Sequence, residues 1–221
     1  MYKTYLFLEG EPGSEPFGLR ARHAAAAVGE AFPGLVGYTQ TRSQREQIED
    51  RAVVPFTGIA ELWFAHSRDA LNAAAHADSI APLLTPGTRV GPIVTGRART
   101  VLRLARHHQG GLVKGVFPFR RQPHLPVGEF QRYWWLNHGP IAALTEHAVY
   151  YLQCHPLPET YGQTPPPYDG ITELHWPDTA SARAAMASRQ MREDQSNDAR
   201  NFAEPGSVLL FLAVEEIVMA P

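Results

Sequence analysis

Pro55-Phe-Thr-Gly-Ile-Ala-Glu-Leu-Trp-Phe64 and Pro167-Tyr-Asp-Gly-Ile-Thr-Glu-Leu-His-Trp176 align without a gap. Pro, Gly, Ile, Glu and Leu are identical in the two segments, and two further positions exchange one aromatic residue for another. Working outward, Tyr38-Thr-Gln40 falls opposite Tyr151-Leu-Gln153. Tyr2-Lys-Thr-Tyr-Leu-Phe7 falls opposite Val113-Lys-Gly-Val-Phe-Pro118, so Lys3 and Lys114, the only lysines in the chain, occupy matching places. A period of about half the chain signals a duplication. A solenoid would show shorter and more numerous units.

Each half yields the same order of elements. In the first, alternating residues predict strands over Tyr2–Glu9, Gly37–Arg42, Ile59–Phe64 and within Arg89–Leu104. An Ala-rich helix spans Leu19–Phe32 and stops at Pro33-Gly34, and a second helix over Arg68–Ala77 has Ser67 as its expected N-cap. In the second half, strands are expected at Val113–Phe119, Val149–His155, Ile171–Trp176 and Val208–Val218, with helices at Val127–Thr145 and Thr179–Arg192. The reading is α+β: two ferredoxin-like βαββαβ repeats, residues 1–108 and 109–221, joined by a linker through Arg106-His-His-Gln-Gly-Gly111. Each four-stranded sheet would carry both helices on one face and leave the other bare. Two bare faces packed together within one chain give an intramolecular α+β barrel. In the repeated strand, Ala60, Leu62 and Phe64 (Thr172, Leu174 and Trp176) share one face. Ile59, Glu61 and Trp63 (Ile171, Glu173 and His175) share the other.

Composition excludes several function classes. A formal charge of −2 and a pI near 6.5 give no basic surface for nucleic acid or an anionic membrane. No run approaches the roughly 20 apolar residues that span a bilayer, and the apolar start of the chain ends at Glu9, too soon for a signal sequence. The single Cys154 cannot form an internal disulfide and is compatible with a reducing cytoplasm. No GxGxxG or phosphate-loop spacing occurs, and the ten histidines show no HExxH, His-x-His or paired-Cys pattern, so neither a nucleotide nor a metal is expected.

The two halves differ in one place. Glu129-Phe-Gln-Arg-Tyr-Trp-Trp-Leu-Asn-His138-Gly-Pro-Ile141 has no counterpart in the first-half helix. At helical spacing Phe130, Trp134, His138 and Ile141 lie on one face. A histidine there is either a satisfied core residue or a reactive group in a dry pocket. Pro140 should bend the helix by removing its own amide hydrogen bond and crowding the carbonyl of Leu136.

The second half resembles the EthD family of dimeric α+β-barrel proteins. The resemblance rests on Glu129-Phe130-x-x-Tyr133-Trp134-x-x-x-His138-x-Pro140, on Tyr168-Asp169-Gly170-Ile171-x-Glu173-Leu174, and on the closing strand ending Val214-Glu215-Glu216. It runs from about Val113 to Glu216; the first half keeps only Gly58-Ile-Ala-Glu61-Leu62-Trp63. The resemblance implies chemistry on phenolic or other aromatic small molecules without metal or organic cofactor. Relatives with this fold include dehydratases, decarboxylases, cyclases, isomerases and cofactor-free oxygenases.

On this reading the candidate catalytic residues are His138, as general acid or base, with Tyr133, His175 and Glu173. Glu61 and Glu173 are also candidates for a structural ion pair across the barrel with Lys3, Lys114 or an arginine, since a lone buried carboxylate is costly. Candidate substrate contacts are Phe130, Trp134, Asn137, Tyr151, His155 and, from the Pro-rich segment after the sixth strand, Tyr161. Carried forward are a lyase or cyclase acting on a phenolic substrate and, as alternatives, a binding protein for a lipophilic ligand or a cofactor-free oxygenase or isomerase of the same fold. The protein is expected as a monomeric pseudo-dimer or a homodimer.

Overall fold

The computed structural model describes residues 1–18, 21–44, 56–104, 111–162 and 165–221. Pro55 of the repeated segment, the start of the first helix at Leu19, and residues 106–110 of the linker with the boundary at 108/109 lie outside the described residues.

The first repeat runs β1 (Tyr2–Glu9), α1 (Ala21–Ala31), β2 (Leu35–Ser43), β3 (Phe56–Phe64), α2 (Ser67–Ala75) and β4 (Arg89–Arg103). The second runs β5 (Val113–Phe119), α3 (Val127–Tyr133), a π turn (Trp134–His138), α4 (Gly139–Ala142), β6 (Tyr150–Pro156), β7 (Gly170–Trp176), α5 (Thr179–Ala187), a second π turn (Gln190–Gln195), α6 (Ser196–Ala199) and β8 (Phe211–Met219). Both follow βαββαβ, as the internal match predicts. Ser67 is not the cap of α2 but its first residue. His66 holds the cap position and makes no side-chain capping bond.

The strands close into one antiparallel barrel in the order β1-β3-β2-β8-β5-β7-β6-β4. Within each repeat the ferredoxin-like order is kept. The halves join twice, β2 against β8 and β4 against β6. These are equivalent joints under the duplication, and closing both leaves no open edge to aggregate. At the second joint β4 passes so close to β6 that a Cβ on Gly96 would stand 2.5 Å from the carbonyl oxygen of His155 and 2.6 Å from the Cys154 sulfur. Backbone cannot yield as a flexible side chain can. Gly96→Ala is therefore expected to cost about 1–3 kcal/mol, read as a lower denaturant midpoint with unchanged slope.

Strand parity sorts the core into layers. Inside the barrel lie Tyr5, Phe7, Ile59, Val116, Leu152 and Ile171. Outside, Leu6, Ala60, Leu62 and Phe64 pack under α1 and α2, and Tyr151, Leu174 and Trp176 pack under the second-half helices. The repeated Tyr-x-Gln makes the same contact twice: Gln40 Nε2 donates to the Tyr38 hydroxyl at 3.4 Å, and Gln153 Nε2 to Tyr151 at 2.6 Å.

The barrel interior is not wholly apolar. Lys3 and Lys114, from equivalent strands, cross it to meet Glu61 and Glu173. Lys114 Nζ is 2.7 Å from both Glu61 oxygens and 3.3 Å from Glu173 Oε2; Lys3 Nζ is 2.6 Å from Glu61 Oε2 and also pairs with Glu173 Oε1. Glu215 of β8 joins at 3.3 Å from Lys114, and Tyr5 donates to Glu173 at 2.6 Å. His175 stands 3.7 Å from Glu173 and 3.7 Å from Glu215, one ring nitrogen toward each. All these side chains are essentially fully buried. Burial alone would raise the Glu173 carboxyl, but Lys114 and then Lys3 outweigh it and hold it well below the ordinary carboxylate range. Burial likewise depresses Lys114, and Glu173, Glu61 and Glu215 more than restore it.

Candidate functional site

The helix carrying His138 changes hydrogen-bond register just before Pro140. Pro140 has no amide hydrogen to give, and the amide of Gly139 reaches back five residues to the carbonyl of Trp134. That carbonyl also accepts Gln153 Nε2 at 3.0 Å, from the sheet below. The wider π turn keeps Phe130, Trp134 and His138 on the inward side, all buried, while Asn137 turns to solvent.

A second π turn, Gln190–Gln195, interrupts the helix that follows β7. Gln190 Nε2 donates to the carbonyl of Ile141 at 2.7 Å, and Gln195 Nε2 to Thr145 Oγ1 at 2.8 Å, tying the two bent helices together. Between them and the outer face of the second sheet is a cleft of about 470 Å³, a size suited to a small organic molecule. Phe117 and Phe119 of β5 with Thr172 and Leu174 of β7 line it on the sheet side. Trp134 and His138 line it from the first π turn. The opposite wall is Met191, Arg192 and Gln195 from the second π turn, continued by Ser196, Ala199, Arg200 and Phe202.

His138 Nδ1 lies 2.8 Å from Asp198 Oδ2 of α6. The other carboxylate oxygen of Asp198 accepts the Tyr133 hydroxyl at 2.8 Å, and Asn201 Nδ2 donates to that hydroxyl at 2.9 Å. The His138 hydrogen bond, with help from Tyr133, holds the Asp198 carboxyl below its ordinary value. Partial burial and then Asp198 push the Tyr133 phenol up, so it stays a donor. An ionised carboxylate only accepts, so the proton between the two groups is carried on Nδ1, and the neutral form of that tautomer presents Nε2 as its acceptor. Phe202 meets the imidazole edge-on, 4.7 Å between ring centres, and limits its rotation.

Of the residues proposed from sequence, Trp134 and His138 line the cleft, with Tyr133 behind His138 through Asp198 and Phe130 stacked behind Trp134 at 5.7 Å. The others are elsewhere. Asn137 is exposed and away from the cleft. Tyr151 is packed in the layer under α4, its phenol pushed up by burial. His155 shares the outer face of β6 but lies beneath Trp134, 4.5 Å between ring centres, and donates to or accepts from Gln153 at 3.0 Å. Burial, then Arg99 and Arg97, push it down to about 3, so it stays neutral. Tyr161 donates to Asp169 at 2.9 Å and does not reach the cleft. Glu173 and His175 occupy the interior face of β7, on the other side of the sheet from His138. Their neighbours Thr172 and Leu174 face the cleft in their place, as strand alternation requires. The carboxylate beside His138 is Asp198, a residue the sequence reading passed over. Its signal is faint: Arg192, Gln195, Ser196, Ala199 and Arg200 recur three and four apart through a polar stretch. Among the described residues no three His, Cys, Asp or Glu side chains are placed to share a metal ion.

Comparison with known proteins bears on the fold. Residues 122–206 match the profile of the EthD domain. A protein provisionally identified as a monooxygenase, from Lactobacillus acidophilus NCFM, superposes with a TM-score of 0.52 over 99% of this chain and 95% of its own, at 8% identity. A mutant chlorite dismutase from Candidatus Nitrospira defluvii gives 0.54 over 100% and 90%, at 11% identity. An EthD family protein from Bacillus halodurans C-125 aligns with 46% of this chain and 95% of its own, at 17% identity and a TM-score of 0.37. No protein of curated function matches by sequence. At such identities the two full-length superpositions speak to the fold alone, that of an α+β barrel in which both halves are present in one chain. Residues 122–206, which carry His138, Asp198 and most of the cleft wall, are the part of the chain that matches the EthD domain.

Proposed function

We propose that the protein is a cofactor-independent enzyme, a lyase or cyclase that moves one proton on a flat, largely apolar aromatic substrate bound in the cleft. The observation that carries this reading is the His138–Asp198 pair at the edge of an aromatic cavity. Asp198 fixes the tautomer, so Nε2 takes a proton from a substrate hydroxyl or acidic carbon. Phe117, Phe119, Trp134 and Phe202 supply ring surfaces for stacking. The imidazolium then returns the proton to carbon or to a departing oxygen. Decarboxylation, dehydration and aldol-type ring closure all need this single transfer while charge is spread over the ring.

Asp198→Asn tests the reading. It keeps the shape but replaces an obligate acceptor with a group that can also donate. Binding of substrate should be unchanged and kcat should fall by up to about 10⁴-fold, the effect of losing the carboxylate that fixes the tautomer of an acid–base histidine. Unchanged kcat would instead support the second reading, a carrier of lipophilic ligands.

A further inference from the structure

We infer that the ligand of this cleft is an aromatic acid, its anionic group held by Arg192 and Arg200. This rests on the cleft being the substrate site. The two arginines project from one wall eight residues apart, on the helical face that also presents Ser196. Neighbouring Arg189 is neutralised by Glu193 at 3.0 Å and Asp194 at 3.4 Å. Among the described residues, no carboxylate pairs with Arg192 or Arg200.

The net charge of the cleft wall is positive. Glu204 also lines it, while Asp198 is already engaged by His138 and Tyr133. Two guanidinium groups against one free carboxylate leave a net positive edge above an apolar, aromatic base. Such a surface fits a molecule with a ring at one end and a carboxylate or phenolate at the other, and a guanidinium pair is suited to the planar carboxylate. The same helical segment supplies Asp198, so the group that anchors the acid and the group that orients His138 move as one unit.

The test compares hydroxynaphthoate with its methyl ester, an isostere without the charge, by ligand fluorescence on the purified full chain. The acid should bind about tenfold tighter than the ester, from two partly exposed ion pairs, and the preference should shrink as salt is raised. Arg192→Gln with Arg200→Gln should abolish the preference while leaving ester affinity unchanged, and Glu204→Gln should increase it. His138→Ala should retain it, which separates this inference from the catalytic reading. Equal binding of acid and ester, a preference that survives in the double arginine variant, or binding by neither compound overturns the inference, whatever the fate of the His138 proposal.

Discussion

His138→Ala is expected to lower kcat about 10²–10⁴-fold, the range for one general acid–base residue, with substrate affinity nearly unchanged. The barrel should survive the change. His138 sits at the edge of an existing cleft and is not enclosed by packing, so truncation enlarges a space already open to solvent and leaves no sealed void. Asp198 loses its His138 partner but keeps the Tyr133 hydroxyl and is partly exposed, so no buried charge is stranded. Melting temperature and ligand affinity therefore serve as internal controls. A variant with normal kcat would assign the His138–Asp198 bond to holding two helices together. The fall should be at least as large as that of Asp198→Asn, because the asparagine variant keeps the imidazole and loses the acceptor that fixes its tautomer and orientation.

The barrel was legible in the sequence because duplication writes each constraint twice. The matched segments put Glu61 and Glu173 at one register, and the two lysines matched as well. The structure brings all four together. The cleft was legible only on one side. His138 stood out because its half of the repeat had changed, and Pro140 announced a bend. The carboxylate partner did not stand out. Asp198 lies in a polar stretch where the residues spaced three and four apart are themselves mostly polar, so no apolar periodicity marks the face that meets the cleft. Assigning Glu173 and His175 to the site of His138 set aside a constraint already visible, since strand parity places them opposite Thr172 and Leu174. Cross-sheet distance is not written in composition, but sidedness is.

Lys114→Met is expected to be the most damaging single substitution for stability. Three buried carboxylates, Glu61, Glu173 and Glu215, would then have Lys3 as the one remaining lysine in the cluster, with Tyr5 and His175 beside Glu173. Removing one partner of a buried ion pair costs about 3–5 kcal/mol, set against a total of roughly 5–15 kcal/mol for a typical domain. The pH dependence makes the cause identifiable. Glu173 has a folded value below its ordinary 4.5, so its contribution is present above that pH and is lost as pH falls through the folded value. Lys114 is raised above its ordinary 10.5, so its contribution is present below that pH and is lost only as pH rises through the higher folded value. Wild-type stability from this cluster should thus be level between these limits and fall in acid. In Lys114→Met the carboxylates that have lost Lys114 gain from protonation, so the deficit against wild type should narrow as pH falls into the acid range. Pairing the change with Glu61→Leu should restore part of the loss, because the two groups are in direct contact and their effects are not additive. Denaturant midpoints at neutral and acid pH measure all of this. A deficit that is constant with pH would mean that Lys114 contributes packing by its aliphatic stem and not charge.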